Sequence, residues 1–169
     1  MAEAKPEFPR RLAEQLLAEV RVEIARADSK AALLVAALGL GAGLFGGMTT
    51  SGDWSPGALP PAGRLSWWLG VVALMVALAA FLLAVAPRFG SGEWTPEAPL
   101  TYFGDIHQAA VRGRLREALS ATEAAPDRRL VQALEFNSRI ASVKLRWVRH
   151  GLVAVAAGVV LISGALLSG

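Results

Sequence analysis

Three uncharged apolar blocks divide the chain: Ala31–Met48, Trp67–Ala86 and Gly151–Leu167. They hold eighteen, twenty and seventeen residues. Each is near the length at which a helix crosses a bilayer. The third is at the minimum, and it either spans or lies in the interface. Between the blocks the pattern changes from solid to periodic. Leu12, Leu16, Val20, Ile24 and Ala27 recur at spacings of four and three, with Arg11, Glu14, Glu19, Arg21 and Glu23 off that stripe. This predicts an amphipathic helix over 9–30 that opens at Pro9 and runs unbroken into the first block. Ala133, Phe136, Ile140, Val143 and Trp147 repeat the pattern. No proline follows Pro126, so one helix from Pro126 to Ser168 is predicted, about 60 Å long. Its first half would pack in the cytoplasm and its second half would lie in lipid.

The connecting stretches are rich in breakers. Residues 49–64 carry Gly52, Pro56, Gly57, Pro60, Pro61 and Gly63, and residues 87–99 are again Gly- and Pro-rich. Both read as loops. Thr101 is a candidate N-cap for a helix from Tyr102 to about Thr122. The fold expected is an all-α integral membrane protein of one domain, 1–169. It has transmembrane helices at 31–48, 67–86 and 151–167 and an external loop over 49–66. A cytoplasmic bundle is built from 9–30 and 87–149, where extensions of the first and third spans pack with one further helix.

Charge sets the orientation. Residues 1–30 hold six lysines and arginines, the loop 49–65 holds only Arg64, and residues 87–150 hold ten. The excess marks the cytoplasmic side, so the N-terminus faces the cytoplasm in a multi-pass arrangement. Trp54, Trp67, Trp68, Phe89 and Trp147 fall near the expected interfaces, as aromatic belts do. Glu3, Glu7, Glu14, Glu19, Glu23 and Asp28 precede the first apolar block, which is unlike a signal peptide. Ala2 and the terminal Leu-Ser-Gly carry no lipidation signal. The net charge of +3 is modest. It suits lipid headgroups or a phosphate-bearing ligand better than a nucleic-acid groove, so no nucleic-acid partner is expected.

Candidate chemistry is sparse. Cysteine is absent, and His107 and His150 alone make no metal site. No nucleophile elbow or Walker sequence occurs, so an enzyme is not expected. Gly41-Ala-Gly43-Leu-Phe-Gly46 matches the dinucleotide fingerprint literally, but it lies inside an apolar span without a preceding strand. The same region gives Gly39-x-x-x-Gly43-x-x-x-Gly47, a face that lets helices approach in lipid, or else ordinary glycine tolerance. Asp28, Ser29 and Lys30 stand where a soluble helix would meet lipid. They form either an interface collar, with Lys30 reaching headgroups, or a pair between Asp28 and Lys144, which lies at similar depth. Arg112, Arg114, Arg116, Arg128, Arg129, Arg139 and Lys144 are either a solvated face or donors for a phosphate. Tyr102 and Phe103 could stack on a base.

Ala27-Asp28-Ser29-Lys30-Ala31 before a span, Tyr102-Phe103-Gly104-Asp105-Ile106 after a Pro-containing loop, and Asn137-Ser138-Arg139-Ile140-Ala141-x-x-Lys144 before a last span occur in that order. Over roughly residues 12–168 this resembles the Pycsar effector transmembrane family. The resemblance implies an antiphage membrane effector of the bacterial inner membrane. A partner pyrimidine cyclase would make cyclic UMP or cyclic CMP on infection, and the effector would respond by impairing the membrane, giving abortive infection. Carried over by position, the candidate ligand residues are Asp28, Lys30, Tyr102, Phe103, Asp105, Asn137, Arg139 and Lys144. No cofactor is implied beyond the second messenger. A homo-oligomer is implied, because three spans of one chain cannot line a wide pore. The alternative is a small helical membrane scaffold, or a constitutive channel-like protein, that binds a protein partner and senses no nucleotide.

Overall fold

A computed structural model describes residues 8–50, 55–86, 94–96 and 98–168, with backbone only at 48 and 49. The described residues contain five α-helices and no strand: α1 (Arg10–Thr50), α2 (Pro61–Val85), α3 (Phe103–Val111), α4 (Leu115–Ala124) and α5 (Pro126–Leu167), with a short 3-10 turn at Pro56–Ala58. Helices α1 and α5 are continuous over 41 and 42 residues, as the unbroken stripes required. Pro61 and Pro126 occupy first helical positions, where a missing N–H costs nothing. Three helices, α1, α2 and α5, are long and apolar enough to cross a membrane. The fold is therefore that of an all-α protein with three candidate spans.

The single helix expected over 102–122 is two helices. Gly113 adopts φ +68°, its N–H bonds to the Ala110 carbonyl, and the Arg114 N–H reaches back to Ala109. That double bond around a left-handed glycine closes α3 and restarts the chain as α4. Thr101 is not the cap either. Asp105 accepts hydrogen bonds from the Thr101 and Tyr102 N–H groups at 3.0 Å each and from the Thr101 hydroxyl at 2.9 Å. The carboxylate in the first turn thus reaches back to hold the helix entry, at the end where the macrodipole favours negative charge.

The chain forms two compact units. Unit 1 comprises residues 1–24 and 87–141, and unit 2 comprises 25–86 and 142–169. In unit 1, Trp94, Leu100, Ala109 and Ala118 form the buried cluster. The segment before α3 is tied down around Trp94. Its N–H donates to Gln108 Oε1 at 2.9 Å, its carbonyl accepts from Arg112 at 2.7 Å, and its indole N–H donates to Ala98 at 3.0 Å. The buried Thr122 hydroxyl accepts from the Leu100 N–H and donates to the Ala118 carbonyl. Buried polar groups here are satisfied, as a stable interior requires. Arg10 pairs with Asp127, joining the starts of α1 and α5.

In unit 2, Ala31, Ala77, Phe81, Ala84 and Val148 pack at one end, and Leu59, Trp67, Ile162 and Ala165 at the other. Helices α2 and α5 meet most closely. A Cβ on Gly70 would lie 2.6 Å from Ile162 Cγ1 and 3.1 Å from the Gly158 carbonyl oxygen. Beside this contact the Ser66 hydroxyl donates to the Leu161 carbonyl at 2.8 Å. Small residues and one interhelical hydrogen bond are what holds helices together in lipid, where apolar burial gives no driving force. Many large apolar side chains face outward, among them Leu33, Leu40 and Val160. A surface of that kind fits a hydrocarbon solvent rather than water.

Candidate functional site

Unit 1 contains a cleft of 360 Å³ lined by Arg21, Leu100, Thr101, Tyr102, Phe103, Ile106, Arg129 and Asn137. The volume lies at the low end of the ~300–1,000 Å³ typical of small-molecule sites. Its aromatic wall follows from the capping by Asp105, which fixes Tyr102 at the mouth of α3 and Phe103 at its first turn. The two rings lie 4.2 Å apart between centroids, and Tyr102 also packs on Phe136 of α5 at 4.9 Å. The pair is therefore held from the α5 side rather than left to rotate.

The charged part of the cleft comes from Arg21 on α1 and Arg129 on α5. Both are exposed, and neither has an ion-pair partner among the described residues. Two guanidiniums on one concavity attract an anion, and their planar forks match a phosphate. Asn137 donates from Nδ2 to the Ala133 carbonyl at 2.7 Å. That bond fixes the amide and leaves its oxygen as an acceptor with no hydrogen-bond donor among the described residues. A second cleft, of 550 Å³, shares Leu100, Ile106 and Arg129 with the first and adds Arg10, Glu14 and Glu123.

The cleft gathers Tyr102, Phe103 and Asn137 of the sequence-derived candidates. Asp105 is spent on the helix entry and acts by placing Tyr102. Arg139 does not line the cleft. Its side chain is 80% exposed and lies 3.4 Å from Glu135, one turn earlier. Asp28, Lys30 and Lys144 belong to unit 2. There Lys144 Nζ donates to Asp28 Oδ1 at 2.5 Å, and the lysine side chain is only 8% exposed. The pairing inferred from their common depth is present. Lys30 is exposed and makes no ion pair among the described residues. Gly39, Gly43 and Gly47 face open space in the single chain, whereas Gly70 and Gly158 approach each other closely within it.

Arg21 is the cleft residue that periodicity assigned to solvent. It sits one turn beyond buried Leu17, at the edge of the buried stripe, and that position was its only signal. At the start of α4, Arg114 forms a bidentate pair with Glu117. The hydrogen bond and then the charge of Arg114 hold the Glu117 carboxyl below its ordinary value, and Glu117 raises Arg114 in turn. No group of three or more His, Asp or Glu side chains suited to a metal occurs among the described residues.

Three helices long and apolar enough to cross a membrane, two of which continue into a small helical unit with a cleft, define a helical membrane protein. The chain belongs to the Pycsar effector protein domain family, which matches residues 12–169. This membership supports a role as an effector in Pycsar antiphage defence. No curated protein and no solved structure matches the chain.

Proposed function

We propose that the protein is a membrane effector that binds a cyclic pyrimidine mononucleotide, cyclic UMP or cyclic CMP made by a partner cyclase, in the unit 1 cleft. Binding would lead it to impair the bacterial inner membrane, with its N-terminus in the cytoplasm. The observation that carries this reading is the juxtaposition of two arginines without an ion-pair partner among the described residues, Arg21 and Arg129, with the Tyr102–Phe103 pair. A cyclic mononucleotide presents one phosphate charge and one flat base, and the cleft offers a partner for each. The Asn137 amide stands where a base edge can be read. The two arginines lie on the two helices that also supply spans, α1 and α5. A phosphate held by both would favour one arrangement of these helices by its differential affinity for that state. The Asp28–Lys144 pair between the same helices is the contact that a rearrangement would have to carry or break. Damage requires several copies, because three spans cannot enclose a wide path.

The test is dye release from liposomes holding the purified protein. Cyclic UMP or cyclic CMP should trigger release and cyclic AMP should not. Each arginine–phosphate hydrogen bond contributes about 1.5–3 kcal/mol, so Arg129→Gln should weaken binding about 10- to 100-fold. Tyr102→Ala should cost ~1–3 kcal/mol of stacking. Arg139→Gln, outside the cleft, should bind as the parent does. Release indifferent to every nucleotide would indicate a constitutive leak, and no release with no binding would favour the scaffold.

A further inference from the structure

The donors along one edge of the unit 1 cleft are already spent. The Leu100 N–H donates to the Thr122 hydroxyl at 2.9 Å, and the Thr101 and Tyr102 N–H groups donate to Asp105 Oδ2 at 3.0 Å each. The Thr101 hydroxyl gives its single hydrogen to the same carboxylate oxygen at 2.9 Å. That oxygen already accepts from two N–H groups, so it is the acceptor here as well. Thr101 Oγ1 is therefore left as an acceptor, and turning its hydrogen elsewhere would give up a bond to a carboxylate. The Asn137 amide is oriented by the same logic. A backbone carbonyl only accepts, so the atom 2.7 Å from the Ala133 oxygen is Nδ2, and Oδ1 is the acceptor that remains. Thr101 and Asn137 line the cleft together with Tyr102 and Phe103. Thr101 directly precedes Tyr102, which puts it beside the ring that would stack a base.

We infer that this edge selects the base, so that the cleft takes cytosine in preference to uracil and binds cyclic CMP more tightly than cyclic UMP. The inference rests on the nucleotide reading of the cleft. Asn137 alone does not discriminate, because it keeps one Nδ2 hydrogen beside Oδ1. In one and the same pose Oδ1 accepts from N4–H of cytosine or N3–H of uracil, and Nδ2 donates to N3 of cytosine or O4 of uracil. The far side of the exocyclic atom decides. Cytosine carries a second hydrogen on N4, directed away from N3, and Thr101 Oγ1 is an acceptor for it. Uracil presents a lone pair of O4 at that place, and it meets a lone pair of Thr101. The N–H groups of Leu100, Thr101 and Tyr102 are committed and give O4 no substitute. Arg21 and Arg129 are drawn to the phosphate, the one negative group of the ligand. Uracil thus leaves two acceptors opposed, and an unmade bond at a desolvated polar group is costly. Asp105 takes part at one remove: by holding the Thr101 hydrogen it makes the hydroxyl a one-way acceptor.

The test is calorimetric titration of the full chain in detergent with cyclic CMP and with cyclic UMP. One hydrogen bond gained and one opposed carbonyl avoided correspond to about 10- to 100-fold tighter binding of cyclic CMP. Thr101→Val removes the acceptor at nearly constant shape, and the preference should fall to about 3-fold or less. Thr101→Ser keeps the oxygen and should keep the preference. Arg139→Gln, outside the cleft, should keep it too. Equal affinities in the parent, or tighter binding of cyclic UMP, would overturn the base selection and leave the nucleotide reading intact. The parent comparison decides this even where a variant fails to fold. A preference that survives in folded Thr101→Val would overturn the assignment to Thr101. Binding of neither nucleotide would overturn both readings together.

Discussion

The Asp28–Lys144 pair is unequally buried, and that inequality sets a testable asymmetry. Lys144 is 8% exposed and Asp28 37%, at a separation of 2.5 Å. Removing one member of a fully buried pair costs about 3–5 kcal/mol, because the other charge is stranded without water. Asp28→Ala strands the buried ammonium. Water entering through the space left by a half-exposed carboxylate reduces the cost to about 2–3 kcal/mol. Lys144→Met strands a carboxylate that water already reaches. Methionine replaces the aliphatic stem, so the cost should be about 0–1 kcal/mol, as for exposed pairs. At about 2–4 °C per kcal/mol for a chain of this size, Asp28→Ala should lower the melting temperature in detergent by about 4–12 °C. Lys144→Met should lower it by no more than about 4 °C. The Asp28→Ala/Lys144→Met double variant should recover most of the loss. The exchanged pair Asp28→Lys/Lys144→Asp should recover part of it, since it places the longer side chain at the more open position. Thermal unfolding of the four variants and the parent in one detergent measures all of this. Equal losses from the two single variants, or a larger loss from Lys144→Met, would refute the burial argument.

Two further outcomes follow from the packing and the charges. A Cβ on Gly158 would meet Leu74 Cδ2 at 2.7 Å and the Gly70 carbonyl oxygen at 3.1 Å, whereas one on Gly43 meets nothing within 4 Å. Gly158→Leu should therefore destabilise unit 2 by about 1–3 kcal/mol of overpacking, partly offset by ~1 kcal/mol of helix propensity; Gly43→Leu should not, and melting in detergent at monomeric dilution distinguishes them. The Arg114 hydrogen bond lowers the Glu117 pKa on folding. The stability it gives is then present above the unfolded value and lost as pH falls through the folded one. Titration of the Glu117 carboxyl by NMR should place its midpoint below 4.5, and Arg114→Gln should return it there.

What the sequence reveals depends on whether a feature is one-dimensional. Helix α5 is legible because its only proline is Pro126 and its stripe passes without interruption into Gly151–Leu167. The Asp28–Lys144 pair is legible because both residues stand just before an apolar block, and equal depth is something the chain records. The split at Gly113 is missed because its neighbours Arg112, Arg114 and Arg116 suit a solvated helix, so one glycine among them gives no break in period. The glycines show the same boundary. Spacing marks Gly39, Gly43 and Gly47 as a face, but only the packed helices show that Gly70 and Gly158 are the pair in contact. The Tyr-Phe-Gly-Asp motif is visible as a motif, and its chemistry is not. Three hydrogen bonds onto one carboxylate give Asp105, a ligand candidate in the sequence, a structural role at the entry to α3.

That reassignment bears on how a cleft of this kind can act. If Asp105 touched the ligand, a carboxylate would face a phosphate, and binding would cost repulsion. Asp105 Oδ2 is committed to three hydrogen-bond donors at the helix entry, and Arg21 and Arg129 supply the positive charge that lines the cleft. Both arginines are exposed and have no ion-pair partner among the described residues, so an arriving anion breaks no ion pair there to bind them. Holding it does fix two long side chains, at about 2 kcal/mol of rotamer entropy each. The ordering falls on α1 and α5, the two helices that contribute both to the cleft-bearing unit and to the spans. Neither has a break between cleft and span: residues 22–38 of α1 and 130–150 of α5 contain no glycine and no proline. A loop at either place would absorb a displacement; a helix resists bending and passes it on. Under the proposed function the two arginines stand on these continuous helices, and the aromatic wall, which only has to stay in place, stands on the short helix α3.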